Sequence, residues 1–257
     1  MANYNKSGLI IENSYLAMAG RVHFADAKKV TIQGFDVLHA SDGGFEYHTV
    51  ICGEIWNEDL ERKKTLGNLC GNIVSHYLIK YGISNNPRIL FVGLGNPEAS
   101  ADSFGYSVTK KITPTVGIGN VAQVYSVPAL IPDITGFETL DLVLDLKELS
   151  RADVIICADS LTALSRERLQ TVIQITDVGI SPGSAVSSNS SGIISQETMG
   201  VPVISIGVPM AIFEDVLTGD MSKSSILLTR AECELICSSF ATIIAHGLRS
   251  AFLRKYP

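Results

Sequence analysis

Three unbroken apolar runs restrict what this chain can fold into: Arg88-Ile-Leu-Phe-Val-Gly93, Asp153-Val-Ile-Ile-Cys-Ala158 and Val201-Pro-Val-Ile-Ser-Ile-Gly207. A strand with one wet face alternates apolar with polar residues, so runs without alternation belong in a sheet covered on both faces. Val121-Ala-Gln-Val-Tyr-Ser126 is a fourth, weaker strand candidate. Helical stretches lie between and around these runs. From Asn57 to Tyr81, Leu60, Leu66, Leu69, Ile73, Val74, Tyr77 and Leu78 recur at helical spacing, and Gly82 stands where a C-terminal cap would. Leu140–Leu149, Leu161–Arg168 and a last segment from Arg230 to Arg254 read as further helices. Strands alternating with helices predict an α/β chain with a mostly parallel central sheet and helices on both faces. At 257 residues the chain fits a single large α/β domain. Within it, residues 1–52 form an N-terminal β-hairpin subregion, with Val30–Gly34 and Phe45–Ile51 as its strands and Ser41-Asp-Gly-Gly44 as a turn.

Composition narrows the function classes. Twenty basic against 26 acidic residues leave a net charge of −6. Nucleic-acid binding needs a basic surface to displace counterions, so that class is excluded. No run of the sequence approaches the ~20 apolar residues needed to span a bilayer, and the first residues lack a signal-peptide pattern. A cytoplasmic location without a membrane partner is expected. Cys52, Cys70, Cys157, Cys233 and Cys237 include no CxxC pair and no zinc-like spacing with histidine. They read as reduced, mainly buried thiols, and no metal or other cofactor is expected. His39 and His48 read as ordinary surface or turn residues.

Ligands of open α/β sheets bind beyond the carboxyl ends of parallel strands. Three loops qualify. The first runs from Gly93 through Gly95 and Asn96 to Asp102 and Gly105, its glycines allowing a sharp turn and close backbone approach. It lacks the third glycine of a dinucleotide fingerprint. The second places Asp159 directly after the run at 153–158. For Asp102 and Asp159 alike, the competing reading is an N-cap of a following helix. Two carboxyls on neighbouring strand ends would share one crevice, where proximity drives their pKa values apart and lets them divide acid and base roles. The third loop, Ile173-Gln-Ile-Thr-Asp-Val-Gly-Ile-Ser-Pro-Gly-Ser184, gathers Asp177, Gly179, Ser181, Gly183 and Ser184 ahead of a polar tract. Ser184 has no histidine nearby in sequence and no nucleophile-elbow motif, so backbone donation from this loop is its expected contribution.

Together these blocks resemble the spore germination proteases, aspartic endopeptidases that degrade small acid-soluble spore proteins. The resemblance rests on Val92-Gly-Leu-Gly-Asn96 with Asp102 and Gly105, on Ile155–Leu161 with Arg166-Glu-Arg168, and on the block at 173–184. It closes with Glu197-Thr-Met-Gly-Val-Pro-Val-Ile-Ser-Ile-Gly-Val-Pro209 and marks residues 88–212 as the catalytic core. It implies a fold related to the hydrogenase-maturation proteases, of the phosphorylase/hydrolase-like kind. It also implies catalysis by Asp102 and Asp159, one activating water and the other protonated. Gly93, Gly95, Asn96, Asp177, Gly179, Ser181, Gly183 and Ser184 would shape the site. The implied partners are a protein or peptide substrate and further copies of the chain in a homo-oligomer. Where the family reads Ile-His-Pro-Gly, this chain has Ile180-Ser-Pro-Gly183.

Three alternatives compete. Val92-Gly-Leu-Gly-Asn-Pro97 also opens peptidyl-tRNA hydrolases, but no histidine occurs between His76 and His246 to serve as their base. A carboxylate-only cation site could draw on Asp102, Asp159 and Asp177 and would suit Mg²⁺ or Ca²⁺. Finally, a relative could keep the fold as a catalytically inactive peptide-binding or regulatory protein.

Overall fold

The computed structural model describes residues 28–83, 85–119, 121–129, 131–182, 192–219 and 226–253. Among the described residues, nine strands form one sheet: β1 (Lys28–Ile32), β2 (Phe35–Asp42), β3 (Phe45–Ile51), β4 (Arg88–Leu94), β5 (Gln123–Ala129), β6 (Val154–Ala163), β7 (Val172–Thr176), β8 (Val203–Phe213) and β9 (Leu227–Leu228). The helices are α1 (Leu60–Lys80), α2 (Phe104–Thr109), α3 (Pro132–Thr135), α4 (Thr139–Ser150), α5 (Gln196–Met199), α6 (Glu214–Thr218) and α7 (Cys233–Phe252).

The sheet order is β1-β2-β3-β7-β8-β6-β4-β5, with β9 on β8. The expected parallel centre is present, since β8, β6, β4 and β5 run side by side in one direction. The other half is antiparallel, so the sheet as a whole is mixed. Two short segments account for this. Residues 173–176, which read as the start of a polar loop, are strand β7, whose Ile173 and Ile175 face the core. The N-terminal region is a three-stranded meander, because Gln33-Gly34 turns the chain with positive φ at both residues and creates β2.

Alternation along β4 assigns the two faces. Ile89 and Phe91 join the larger core under α1, α2 and α7, whereas Leu90, Val92 and Leu94 join the smaller core under α4. The first halves of β4, β6 and β8 read as apolar runs because both faces are covered. Helix α1 starts at Asp59, whose side chain accepts from the Arg62 amide, and ends before Gly82 in a left-handed conformation. Helices α1 and α7 cross almost backbone to backbone. A Cβ on Gly71 would stand 2.3 Å from the Gly247 carbonyl oxygen, and one on Gly247 would stand 2.1 Å from that of Gly67. Helix α7 has the length and apolar composition to cross a membrane, contrary to the reading that no run approaches this; 61% of its most apolar window is buried inside the protein.

Candidate active site

The loop after β4 is held by its own backbone. Gly95 adopts φ 108°, and a Cβ there would lie 2.1 Å from the Asp102 carbonyl oxygen. Only glycine combines that dihedral with that approach. The chain then turns through Asn96, whose side-chain oxygen accepts from the Glu98 amide, into a short 3-10 turn at Ser100–Asp102. The Asp102 carboxylate reaches back and accepts from the Asn96 amide at 2.8 Å. Asp102 is therefore not the N-cap of α2. That position falls to Ser103, whose side chain makes no capping bond. Gly105 lets the first turn of α2 nest against the ends of β4 and β6, since a Cβ there would meet the Ala158 and Leu94 oxygens at 2.2 and 2.4 Å.

Asp159 is not at the end of its strand. The expected helix over Leu161–Arg168 is instead the continuation of β6 to Ala163, followed by a 3-10 turn at Arg166–Arg168. The physical reason is β8, which runs on to Phe213 and pairs with β6 along its whole length, with Asp159 opposite Gly207. Pairing beyond Asp159 satisfies the backbone that a helix would otherwise have to satisfy. The Asp159 side chain accepts from the Ser160 amide at 2.8 Å, and the residue is 3% exposed. Ser160, on the opposite face, accepts from the Phe104 amide at 3.2 Å and so ties β6 to α2.

The two carboxyls share one electrostatic environment. Burial pushes Asp102 up to about 6, against the pull of the Asn96 amide. Burial also holds Asp159 well above the ordinary carboxylate range, and the charge of Asp102 adds to that rise. Such a pair retains a proton where isolated aspartates would have lost theirs, with the deeper residue as its stronger holder. Sequence reading missed Ser205. It lies opposite Cys157 in the β6–β8 register, two residues before the partner of Asp159, and its buried hydroxyl has no hydrogen-bond partner among the described residues. A serine inside Val-Ile-Ser-Ile was the available signal.

The structure thus brings Gly93, Gly95, Asn96, Asp102 and Asp159 together. Gly93 is packed against α2, where an added Cβ would collide with Thr109 and Gly105. Asp177 belongs elsewhere. Its fully buried carboxylate accepts from the Glu46 amide (2.7 Å), Lys80 (2.7 Å) and the Tyr81 hydroxyl (2.8 Å), locking the meander and α1 onto the end of β7. Because β7 is antiparallel to β8, it carries Asp177, Gly179 and Ser181 towards the starts of the parallel strands, in the opposite direction from the Asp102 loop. The three-aspartate cation site fails for that reason. Ile180 pairs with Ile194 there, Gly179 packs against Ile194 and Ser195, and Ser181 is buried. Gly183 and Ser184 lie outside the described residues.

What the fold and site define is an α/β protein with two carboxyls that burial raises above the ordinary range, one on a strand and one on the loop after its parallel neighbour. The germination protease family model matches residues 23–228. The chain belongs to that family. It is 33% identical over 183 residues to the germination protease of Bacillus mycoides (strain KBAB4) and 32% identical over 183 residues to that of Bacillus cytotoxicus. Each alignment takes in 68% of this chain and 50% of the relative, so the chain spans about half the length of these curated relatives. Among solved structures, a [NiFe] hydrogenase maturation protease, HycI from Thermococcus kodakarensis KOD1, aligns with 67% of this chain and 99% of its own, at 17% identity and a TM-score of 0.36.

Proposed function

We propose that this chain is an aspartate-dependent endopeptidase that cleaves small acid-soluble spore proteins or peptides like them. The observation that carries the reading is the paired burial of Asp102 and Asp159, which raises both carboxyls, the deeper one further through its neighbour's charge. Membership of a family named for proteolysis supports it.

In this reading the pair carries one proton at neutral pH. Asp102, the more exposed and less perturbed carboxyl, is ionised and takes a proton from the attacking water. Asp159 retains its proton and donates it, first as a hydrogen bond to the scissile carbonyl and then to the departing amine. The Asn96 amide holds the Asp102 carboxylate in one orientation, so little reorganisation is needed as charge moves. The Ser205 hydroxyl is a further donor facing the same side of the sheet as Asp159. Subunit association into a homo-oligomer and a cytoplasmic location belong to the same proposal.

The test is mass spectrometry of small acid-soluble spore proteins incubated with the purified chain, with Asp102→Asn and Asp159→Asn alongside. Defined cleavage by the wild type, lost in both variants, supports the assignment. Intact substrate with the wild type, together with retained binding, points to the inactive peptide-binding reading instead.

A further inference from the structure

Away from the aspartate pair, the meander and α1 gather three of the chain's five histidines around one carboxylate. His39 on β2 and His48 on β3 stand directly opposite each other in the strand register, with ring centroids 4.7 Å apart. Glu46 lies two residues before His48, on the same face of β3. From α1, one turn of helix presents His76, Tyr77 and Lys80. His39 and His48, far from being ordinary surface or turn residues, are half-buried strand residues pointing at this helix.

We propose that His39, Glu46 and His48, with His76 closing the set, form a binding site for one divalent transition-metal ion of the zinc class. Ligand atoms of His39, Glu46 and His48 all lie within 4.8 Å of one another. The Glu46 Oε2 atom is 3.4 Å from His39 Nε2 and 2.8 Å from His76 Nε2. Around a tetrahedral zinc ion with bonds of about 2.0–2.1 Å, ligand atoms stand about 3.3 Å apart. Small side-chain rotations therefore suffice to close the set. Imidazole and carboxylate donors suit zinc, nickel or copper and are poorly matched to magnesium.

The surroundings of His48 supply a second argument. Its Nδ1 is 2.9 Å from the Tyr77 hydroxyl, which donates its proton to the backbone oxygen of Glu46 at 2.9 Å, with that of Ile175 at 3.2 Å as the alternative acceptor. A hydroxyl has only one proton to give, so towards His48 it accepts, and Nδ1 carries the hydrogen. In that arrangement of the Tyr77 proton, Nε2 keeps the lone pair a metal needs. Metal-binding histidines are oriented by this kind of bond at the other ring nitrogen. The charge balance also allows a cation. Lys80 bridges the other oxygen of Glu46 (3.1 Å) and Asp177 (2.7 Å), so two carboxylates face one ammonium before the metal arrives. Binding would pin β2, β3 and α1 to one another beside the Lys80–Asp177 contact. None of this depends on the proposed peptidase chemistry, because no ligand is shared with it.

The experiment is a titration of the metal-free full chain with Zn²⁺ against a chromophoric chelator, followed by Co²⁺ spectroscopy. One equivalent should bind, with a Co²⁺ spectrum showing nitrogen and oxygen ligation. Affinity should fall at least about 100-fold in a His39→Ala, His48→Ala double variant, more than loss of an outer-shell partner costs. His39→Ala alone and Glu46→Gln should each weaken binding, and far-UV circular dichroism of the metal-free variants will show whether they fold. The single variants keep the test valid if the double variant does not. Cys52→Ser should bind as the wild type does. Stoichiometric binding unchanged in the folded histidine variants, a thiolate-to-cobalt charge-transfer band, or no binding above that of Mg²⁺ would each overturn the site.

Discussion

Replacing Asp102 by Asn should make the protein more stable at neutral pH while removing its proposed activity. The magnitude follows from the site. Asp102 titrates at about 6 in the folded chain against a reference of 3.8. A carboxyl raised in the folded state takes up protons more readily folded than unfolded, so its ionisation destabilises the fold and stability falls as pH rises between the two values. At pH 7 that difference amounts to about 3 kcal/mol, and at pH 4 to about 0.5 kcal/mol. Partial solvent access and sharing of charge with Asp159 make about 3 kcal/mol an upper bound. Asparagine is neutral at every pH, and its amide oxygen can still accept from the Asn96 amide. For a chain of this size about 2 kcal/mol corresponds to a rise in Tm of roughly 4–8 °C. Differential scanning calorimetry of both proteins at pH 7 and pH 4 is the assay: the gain should be large at pH 7 and nearly absent at pH 4. A gain of equal size at both pH values, or a loss of Tm at pH 7, would refute the claim that Asp102 is held in an environment hostile to its charge.

Three further outcomes are expected. Cleavage should decline below pH 6 as Asp102 takes up its proton, and decline again on the alkaline side as Asp159 loses the one that burial keeps there; a profile flat from about pH 4 to 9 would contradict the division of roles. Asp177→Ala leaves the Glu46 amide and the Tyr81 hydroxyl without their acceptor, while Lys80 keeps Glu46, and should cost about 1–3 kcal/mol per orphaned group in urea denaturation, whatever it does to activity. Gly247→Ala drives a methyl group into the Gly67 backbone, so α1 and α7 must part, at roughly 2 kcal/mol or more of stability measured the same way; a neutral result would mean the helices are further apart than described.

Much of the fold was legible from local pattern. The largely apolar runs marked β4, β6 and β8 because burial on both faces favours apolar residues at successive positions rather than at alternate ones. The 3.6-residue spacing marked α1 because one stripe of it meets the core. The loop of Gly95 and Asp102 was legible too, since its glycines and its acid stand consecutively in the chain. What failed were judgements that depend on a distant partner. Asp159 read as the end of a strand because Asp-Ser commonly starts a helix, yet β8 supplies hydrogen bonds as far as Ala163. Residues 173–176 read as loop because their polar neighbours dominate the window, although β3 and β8 recruit them into the sheet.

By itself, then, the sequence determined the α/β class, the covered parallel strands, the family blocks and the identity of the two candidate carboxyls. These are properties of period, composition and short-range order, which each segment carries in its own residues. Only the tertiary structure decided that the sheet is mixed, that Asp159 lies within its strand, and that Asp177 turns to Lys80 and the meander. Only it, too, gathered His39, Glu46, His48 and His76 from three elements. Strand direction, side-chain facing and pKa depend on which segments meet across tens of residues, and a window of sequence holds no record of its partner.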